Sequence, residues 1–325
     1  MINEGNTNQL PTRMLTGLQP SGKLHIANYF GSIKPFLNLV QSENAPKECF
    51  LMVADYHALT SVRDAKVLKE NIINTVRTYL AAGIDPEKIT IFRQSDNPDH
   101  LELGWIFNCL VTLPFLMQAH SYKDKVAKGL EANAGLFTYP MLMAADIVLY
   151  NTDIVPVGED QRQHLEYSRE AVSKFNNAYG QLLKEPKELI VPEIGTIPGT
   201  DGQKMSKSYH NTIPLFTSAE ETENIVKKIV TDSTGTFPKN VHAIHKLLKP
   251  TSELDKLYEE HEGKYGILKK YLADDLNEYL SPMREKYESI SVDEVTDVLH
   301  KGAVRAREES AVNMKKIRKA VGIAI

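Results

Sequence analysis

Short apolar segments with strand character alternate with helical segments along the first half of the sequence. The segment at 49–55 (CFLMVAD) is almost continuously apolar, which is typical of a strand buried on both faces of a parallel sheet. Similar strand signals stand at residues 14–18 and 89–95, and helical periodicity falls at residues 25–42, 64–82, 100–113 and 161–176. Because strands that alternate with helices pair in parallel, the sequence predicts an α/β fold with a doubly wound, Rossmann-like sheet.

The second half of the sequence has a different composition and different secondary-structure signals. Residues 188–203 are rich in glycine, proline and β-branched residues and predict a strand followed by a loop. Beyond them, Ser218 and Glu221 form a capping-box pattern that predicts a helix to Val230, and further helices are predicted at residues 257–279, 292–299 and 302–320. We therefore predict a catalytic domain over 1–215, with a helical connection inserted at about 100–180, and a C-terminal all-helical domain over 216–325.

The chain has 325 residues, which is enough to bury a hydrophobic core without help from disulfides or structural metal. Its two cysteines, Cys49 and Cys109, are too few for a disulfide framework and have no partners at zinc spacing. The N-terminal residues are polar, and the longest apolar run, at 141–150, is about half the length of a membrane span. We therefore expect a soluble, cytoplasmic protein with no membrane segment.

Basic residues are concentrated near the C-terminus, although the whole chain carries a formal net charge of −4. Residues 301–325 contain seven lysines and arginines against two glutamates. A basic helix of this kind is either a solvated surface or a contact for a polyanion such as nucleic acid, and the pattern alone leaves both interpretations open.

A glycine-containing turn joins the first predicted strand to the first helix, in the run 16–29 (TGLQPSGKLHIANY). The first turn of a helix has free backbone N–H groups and a partial positive charge, which suit a phosphate group. His25 and Asn28 are three residues apart, so they share one face of that turn and can both donate hydrogen bonds to one anion. A structural histidine near a helix start is the alternative interpretation.

A second run, 202–208 (GQKMSKS), carries two lysines three residues apart in a loop flanked by glycine and serine. Lys204 and Lys207 could hold a triphosphate and stabilise the charge that develops on a leaving pyrophosphate. The alternative interpretation is a solvated loop that happens to contain two lysines.

Together, these two runs resemble the paired signatures of the class I aminoacyl-tRNA synthetases, with 25–28 (HIAN) as the first and 204–208 (KMSKS) as the second. The runs 138–150 (TYPMLMAADIVLY) and 153–164 (DIVPVGEDQRQH) then closely resemble the bacterial tryptophanyl-tRNA synthetase family. The related tyrosyl enzymes usually carry glutamine where this chain has Met143. A thioether in place of an amide makes a pocket more apolar and packs well beside aromatic rings, which suits an indole better than a phenol.

The resemblance implies a role for each matching residue. The catalytic residues would be Lys204, Lys207, His25, Asn28 and Gln19. ATP would be bound by Gln19, Gly17, His25, Asn28, Gly158, Asp160, Lys204, Met205, Lys207 and Ser208. Tryptophan would be bound by Asp146, Tyr139, Met143, Gln161, His57, Val155, Val157 and Leu15. No metal site of the protein itself is implied, because Mg²⁺ would arrive bound to ATP.

Asp146 stands in an apolar run, where a carboxylate is costly unless it is paired. Under the resemblance it would accept a hydrogen bond from the indole N–H, a group that can only donate. The alternatives are structural. Asp146 would be a buried carboxylate that holds backbone N–H groups, His57 a core histidine, and Glu159 and Asp160 caps of a helix start.

The implied reaction has two steps. The carboxylate of L-tryptophan attacks the α-phosphorus of Mg-ATP to give tryptophanyl-adenylate and pyrophosphate, and a ribose hydroxyl of tRNA(Trp) then attacks the activated carbonyl. No protein nucleophile is needed, so catalysis would consist of positioning and charge stabilisation. The resemblance also implies a homodimer and anticodon binding by the helical domain.

Proteins of three other classes match the sequence less well. A small adenylyltransferase would need neither the helical last third nor the full run 204–208. A non-catalytic relative would not need to keep His25 and both lysines of that run. A helical interaction protein would not need the glycine-containing phosphate turns.

Overall fold

The computed structural model describes residues 13–43, 45–127, 129, 132–157, 162–190, 196–231 and 237–324. In chain order the strands are β1 (Arg13–Leu18), β2 (Glu48–Val53), β3 (Ile89–Arg93), β4 (Ile154–Val157) and β5 (Lys187–Ile190). The helices are α1 (Ile26–Asn28), α2 (Lys34–Val40), α3 (Asp55–Ala58), α4 (Ala65–Ala81), α5 (Asp99–Asn108), α6 (Leu113–Leu116), α7 (His120–Ala127), α8 (Ala134–Val148), α9 (Arg162–Tyr179), α10 (Ala219–Lys227), α11 (Lys239–His245), α12 (Thr251–Glu260), α13 (Tyr265–Ser289) and α14 (Val292–Ala320). A π-helical segment, Tyr29–Ile33, joins α1 to α2.

The five strands form one parallel sheet in the order β3–β2–β1–β4–β5. This sheet confirms the predicted α/β fold, and its first three strands are the ones expected from the apolar segments. The direction of winding reverses between β1 and β4. In open α/β sheets the crevice at the carboxyl ends of the strands beside such a reversal is where ligands bind.

Helices cover both faces of the sheet, as the doubly wound fold requires. Successive residues of a strand point to opposite faces, so Met14 and Leu15 of β1 belong to different buried clusters. The cluster around Met14 is completed by α4 and α13, and the cluster around Leu15 is completed by α8 and α9. The residues that follow β1 therefore project from a strand that is held firmly on both sides.

Two of the predicted helix boundaries in the last third are wrong. The single helix expected at 257–279 is two helices, because the chain turns between α12 and α13, where Gly263 has φ +73°. The two helices expected at 292–299 and 302–320 are one, α14, which continues through Gly302. A methyl group on Gly302 would collide with the carbonyl oxygen of Ile91, so this glycine allows α14 to approach β3 rather than ending a helix.

The basic side chains of α14 turn in part toward the α/β half of the chain. Lys301 and Arg305 lie near Glu87, and Arg307 donates to the carbonyl oxygen of Asp96. Arg318 pairs with Asp99 and Glu102 of α5. Much of the local positive charge therefore holds the helix in place instead of facing a polyanion.

No helix among the described residues is long and apolar enough to cross a membrane.

The division of the chain at residue 215 stays a prediction.

Candidate active site

A cavity of about 610 Å³ opens at the carboxyl ends of β1 and β4. Its lining brings together many predicted site residues that are far apart in the sequence: Leu15, Gly17, Gln19, Asn28, His57, Tyr139, Met143, Asp146, Val155 and Val157. A Cβ atom at Gly17 would lie 2.6 Å from the carbonyl oxygen of Met52, so glycine is required there and a ligand can approach the strand closely.

The remaining predicted residues fall into two groups. Gly158, Asp160 and Gln161, with Glu159, lie outside the described residues. The others, His25, Lys204, Met205, Lys207 and Ser208, are not among the residues that line the cavity.

Three side chains converge on the carboxylate of Asp146, which is 1% exposed. Gln94 Nε2 donates to both oxygens, at 2.8 and 2.9 Å. His57 Nε2 lies 2.9 Å from Oδ2, and His100 Nδ1 lies 2.7 Å from Oδ1. Burial alone would raise the pKa of Asp146, but the contacts with His100 and His57 lower that pKa to about 2. An ionised carboxylate therefore stands in the cavity wall, and its partners are side chains rather than the backbone N–H groups of the structural alternative.

The rest of this end of the cavity is mostly apolar. Leu15 and Val155 are buried, and Met143 and Val157 are half-buried. The hydroxyl of Tyr139 lies 2.9 Å from His164 Nε2, which fixes the ring at the cavity edge. An apolar pocket with one buried anion suits a flat hydrophobic ligand that carries a single N–H donor.

His25 and Lys207 lie close to each other, outside the lining of the cavity. Lys207 Nζ donates to the carbonyl oxygen of Gly22 at 3.0 Å, which places the second signature loop against the first signature turn. Burial and the nearby ammonium of Lys207 lower the pKa of His25 to about 4, so the imidazole is neutral at physiological pH. Among the described residues, the buried Nδ1 atom of His25 has no hydrogen-bond partner.

The start of the first helix offers fewer free donors than the sequence suggested. The backbone N–H of Ile26 donates to the carbonyl oxygen of Ile213 at 3.0 Å. Asn28 uses its side-chain oxygen to accept from the N–H of His25, at 3.1 Å. The assumption that the whole first turn has free backbone N–H groups is therefore wrong for Ile26, because this turn pairs with the segment that follows the lysine loop.

The two lysines of the second signature have different surroundings. Lys207 is half-buried, and burial lowers its pKa, whereas Lys204 is exposed. Met205 between them is buried and anchors the loop in the core. Ser208 is exposed, and its hydroxyl lies 2.8 Å from that of Ser206.

Sequence reasoning missed residues that shape both ends of the site. Gln94 and His100 follow β3 and reach Asp146 from there, and the rule that ligands lie at the carboxyl ends of parallel strands could have indicated Gln94. Asn211 is buried beside the lysine loop, where it accepts from the N–H of Ser206 at 2.8 Å and donates to Asp201 at 2.7 Å. Asn211 is only three residues beyond the run 204–208, but a single asparagine after a loop gives no sequence signal for this contact.

Within the described ranges, no group of three or more histidine, cysteine, aspartate or glutamate residues could hold a metal ion.

Comparison with known proteins identifies the family. The family described as tRNA synthetases class I (W and Y) matches residues 7–314. A tryptophan–tRNA ligase of Fusobacterium nucleatum is 46% identical over 323 residues, which cover 96% of this chain and 98% of the relative. A tryptophan–tRNA ligase of Campylobacter jejuni is 43% identical and covers 96% of this chain and 100% of its own.

Solved structures agree with the sequence relatives. The crystal structure of tryptophanyl-tRNA synthetase from Campylobacter jejuni complexed with ADP and tryptophan has a TM-score of 0.87 at 42% identity, covering 95% of this chain and 99% of that one. Tryptophanyl-tRNA synthetase from Mycoplasma pneumoniae has a TM-score of 0.83 at 30% identity, covering 97% and 98% of the two chains. Because the family match and these relatives span almost all of the sequence, the chain belongs to the class I tRNA synthetases of the tryptophan and tyrosine family.

Proposed function

We propose that this chain is a tryptophan–tRNA ligase that activates L-tryptophan with Mg-ATP and transfers it to tRNA(Trp). The observation that carries the choice of amino acid is the ionised, buried Asp146 in the wall of an apolar cavity. The relatives named tryptophan–tRNA ligase support the same choice.

The indole would lie between Met143, Val155 and Val157, with its N–H directed to Asp146. A carboxylate has about four lone-pair positions, and Gln94, His57 and His100 already make four contacts with the two oxygens of Asp146. The N–H must therefore share an oxygen with one of these groups or displace it. His57 is the group to give way, because its side chain also lines the cavity.

The other groups of tryptophan and of ATP would lie further along the cavity, away from Asp146. Tyr139 and Gln161 would hold the α-amino group of tryptophan, and Gln19 would place its carboxylate near the α-phosphate of ATP. Gly17 and Met205 would contact adenosine. Gly158 and Asp160 would lie near the nucleotide as well.

His25, Asn28, Lys204, Lys207 and Ser208 would meet the phosphates. A neutral His25 can donate a hydrogen bond to a phosphate oxygen. Lys207 carries the positive charge for the departing pyrophosphate, and Mg²⁺ arrives with ATP. Catalysis by this arrangement consists of positioning and charge stabilisation.

Transfer would take place in the cytoplasm, with the helices after residue 215 near the anticodon of tRNA(Trp). The chain would work as a homodimer. Leu59, Leu101 and Trp105 are exposed apolar side chains that line one groove of about 350 Å³, and His57 and Tyr139 of the tryptophan site form part of the same groove. A second copy of the chain would cover this surface, which large exposed apolar side chains favour.

The amino acid is tested by ATP–pyrophosphate exchange with each of the twenty amino acids. We expect tryptophan alone to support rapid exchange, and exchange driven by tyrosine would overturn the proposal. Charging of transcripts of tRNA(Trp) and tRNA(Tyr) then tests the second step. Sedimentation of wild type and Leu101→Glu tests the dimer, which should dissociate in the variant.

A further inference from the structure

Buried polar side chains connect Asp146 to the C-terminal helix. His100 lies 2.7 Å from Asp146 through Nδ1, and its Nε2 lies 2.8 Å from the hydroxyl of Tyr150. Asn97 Nδ2 donates to that hydroxyl at 3.0 Å and to Ser310 Oγ of α14 at 2.9 Å. All five residues are at most 1% exposed. The chain of contacts is therefore shielded from water along its whole length.

Asn97 joins Tyr150 to the C-terminal helix. Its amide has two hydrogens, and they go to Tyr150 and Ser310. The hydroxyl of Tyr150 keeps its own hydrogen and lies against His100 Nε2, and Nδ1 of the same ring faces the carboxylate of Asp146 at 2.7 Å. In the other direction, Ser310 Oγ donates to Asp99 Oδ2 at 2.7 Å.

Aromatic contacts hold the two rings of this chain in place. Phe50 of β2 stacks on Tyr150 with ring centroids 5.0 Å apart, and Phe92 of β3 stacks on His100 at 6.1 Å. Rings clamped in this way cannot turn to make up for a lost hydrogen bond. Removal of the Tyr150 hydroxyl therefore leaves His100 Nε2 without that contact.

We infer that His100, Tyr150 and Asn97 are positioning residues for the tryptophan site, and that Ser310 of α14 anchors them. They hold the imidazole of His100 against Asp146, so that the carboxylate stays oriented toward the indole N–H. The inference rests on the proposed function, in which Asp146 recognises that N–H. It gives the C-terminal helix a direct part in selecting the amino acid.

The chain contains a matched control for this network. Tyr258, His245 and Asp275 repeat the order tyrosine–histidine–carboxylate in the last third of the sequence, with distances of 3.2 and 2.6 Å. Tyr258 and His245 are buried, and none of the three lines the tryptophan cavity. Tyr258→Phe therefore imitates the structural cost of losing a buried tyrosine hydroxyl without touching the proposed site.

The test compares kcat/KM in pyrophosphate exchange for tryptophan and for its benzothiophene isostere, which has sulfur in place of the N–H. We expect Tyr150→Phe to lower the preference for tryptophan about fivefold, the effect of one buried hydrogen bond, with little change in KM for ATP. Tyr258→Phe should keep the wild-type preference. An unchanged preference in Tyr150→Phe, or an equal loss in both variants, would overturn the inference.

Three more variants distinguish failure of the network from failure of the proposed function. Asn97→Asp cannot donate to Tyr150 or Ser310 and should reproduce the loss, whereas Ser310→Ala should give a smaller loss in the same direction and serves if Tyr150→Phe does not fold. Asp146→Ala tests the proposed function itself. A preference that survives Asp146→Ala removes the role of Asp146, and a preference that is lost in Asp146→Ala but kept in the other variants removes only the network.

Discussion

The two ends of the candidate active site differ in how completely their polar groups are satisfied. At the proposed indole end, Asp146 is surrounded by Gln94, His57 and His100, all buried. At the proposed phosphate end, His25 has a buried nitrogen that lacks a partner in the described chain, and Lys207 rests on a backbone carbonyl. The polar groups of the first end are paired with one another, and those of the second are not all paired.

This difference suggests that one end of the site selects the amino acid and the other affects the reaction rate. A preformed pocket discriminates between amino acids, because a wrong side chain leaves buried polar groups unpaired. Groups that are satisfied only when charge develops on a phosphate act on the rate instead. Variants at the two ends should therefore change different measured quantities.

The largest effect is expected at the phosphate end. Lys207→Ala should lower the rate of tryptophan activation about a hundredfold or more, since one charge contact in a transition state is typically worth ~3–4 kcal/mol. Its Kd for tryptophan should change little. Single-turnover adenylate formation and equilibrium binding give the two values. Near-normal exchange by the double variant Lys204→Ala, Lys207→Ala would show that the loop is only a solvated turn.

At the indole end the main loss should be in selectivity. Asp146→Ala should reduce the preference for tryptophan over its benzothiophene isostere by about 1.5–3 kcal/mol, the contribution of one hydrogen bond to a charged group, in addition to lowering activity. The ratio of the two kcat/KM values measures it. An equal ratio in wild type and variant would make Asp146 a structural carboxylate.

The buried imidazole of His25 predicts a pH effect on stability. With a pKa of about 4 in the fold against an ordinary value of 6.5, His25 stays neutral between these pH values while the unfolded chain takes up a proton. The free energy of unfolding therefore falls as the pH is lowered through this window, by about 1.6 kcal/mol from pH 6.5 to 5 on account of this one group.

Urea titrations at the two pH values should show a smaller fall in His25→Gln. His245 and His242, whose pKa values are lowered chiefly by burial, contribute equally to both proteins and cancel in the comparison. Parallel pH dependence in wild type and variant would contradict the burial of an uncharged His25.

The smallest effect is expected from the apolar wall. Met143→Gln should raise KM for tryptophan about fivefold, because an amide without a fixed partner costs on the order of 1 kcal/mol in such a pocket. Met143→Leu keeps the wall apolar and should stay near wild type. If both variants behave alike, the polarity of this position does not contribute to selection.

How much could be predicted from the sequence differs along the chain. The strands and the cavity residues were accessible because their signals are local: an apolar run makes a buried strand, and the run that contains Met143 and Asp146 folds as one helix, α8. Gln94 and His100 were not predicted because their role is to contact Asp146, a carboxylate about 50 residues away that only the packed fold brings near them.

In the last third of the chain, by contrast, local sequence signals were present but misleading. Gly302 has the sequence character of a helix break, yet it lies within α14 because the helix backbone touches β3 at that point. The pairing of Arg318 with Asp99 and Glu102 likewise could not be distinguished from a solvated basic surface in the sequence. Local propensity was overridden in both places by contacts between distant segments.

The contact at Gly302 also bears on how the chain avoids aggregation. Strand β3 ends the sheet on one side, and its residues Ile89–Arg93 (ITIFR) are largely apolar and rich in β-branched side chains. An uncovered edge strand of this kind is a template for pairing with another chain. Because α14 lies against its backbone, a protein truncated before Val292 would expose an unpaired, largely apolar edge strand and would self-associate during expression.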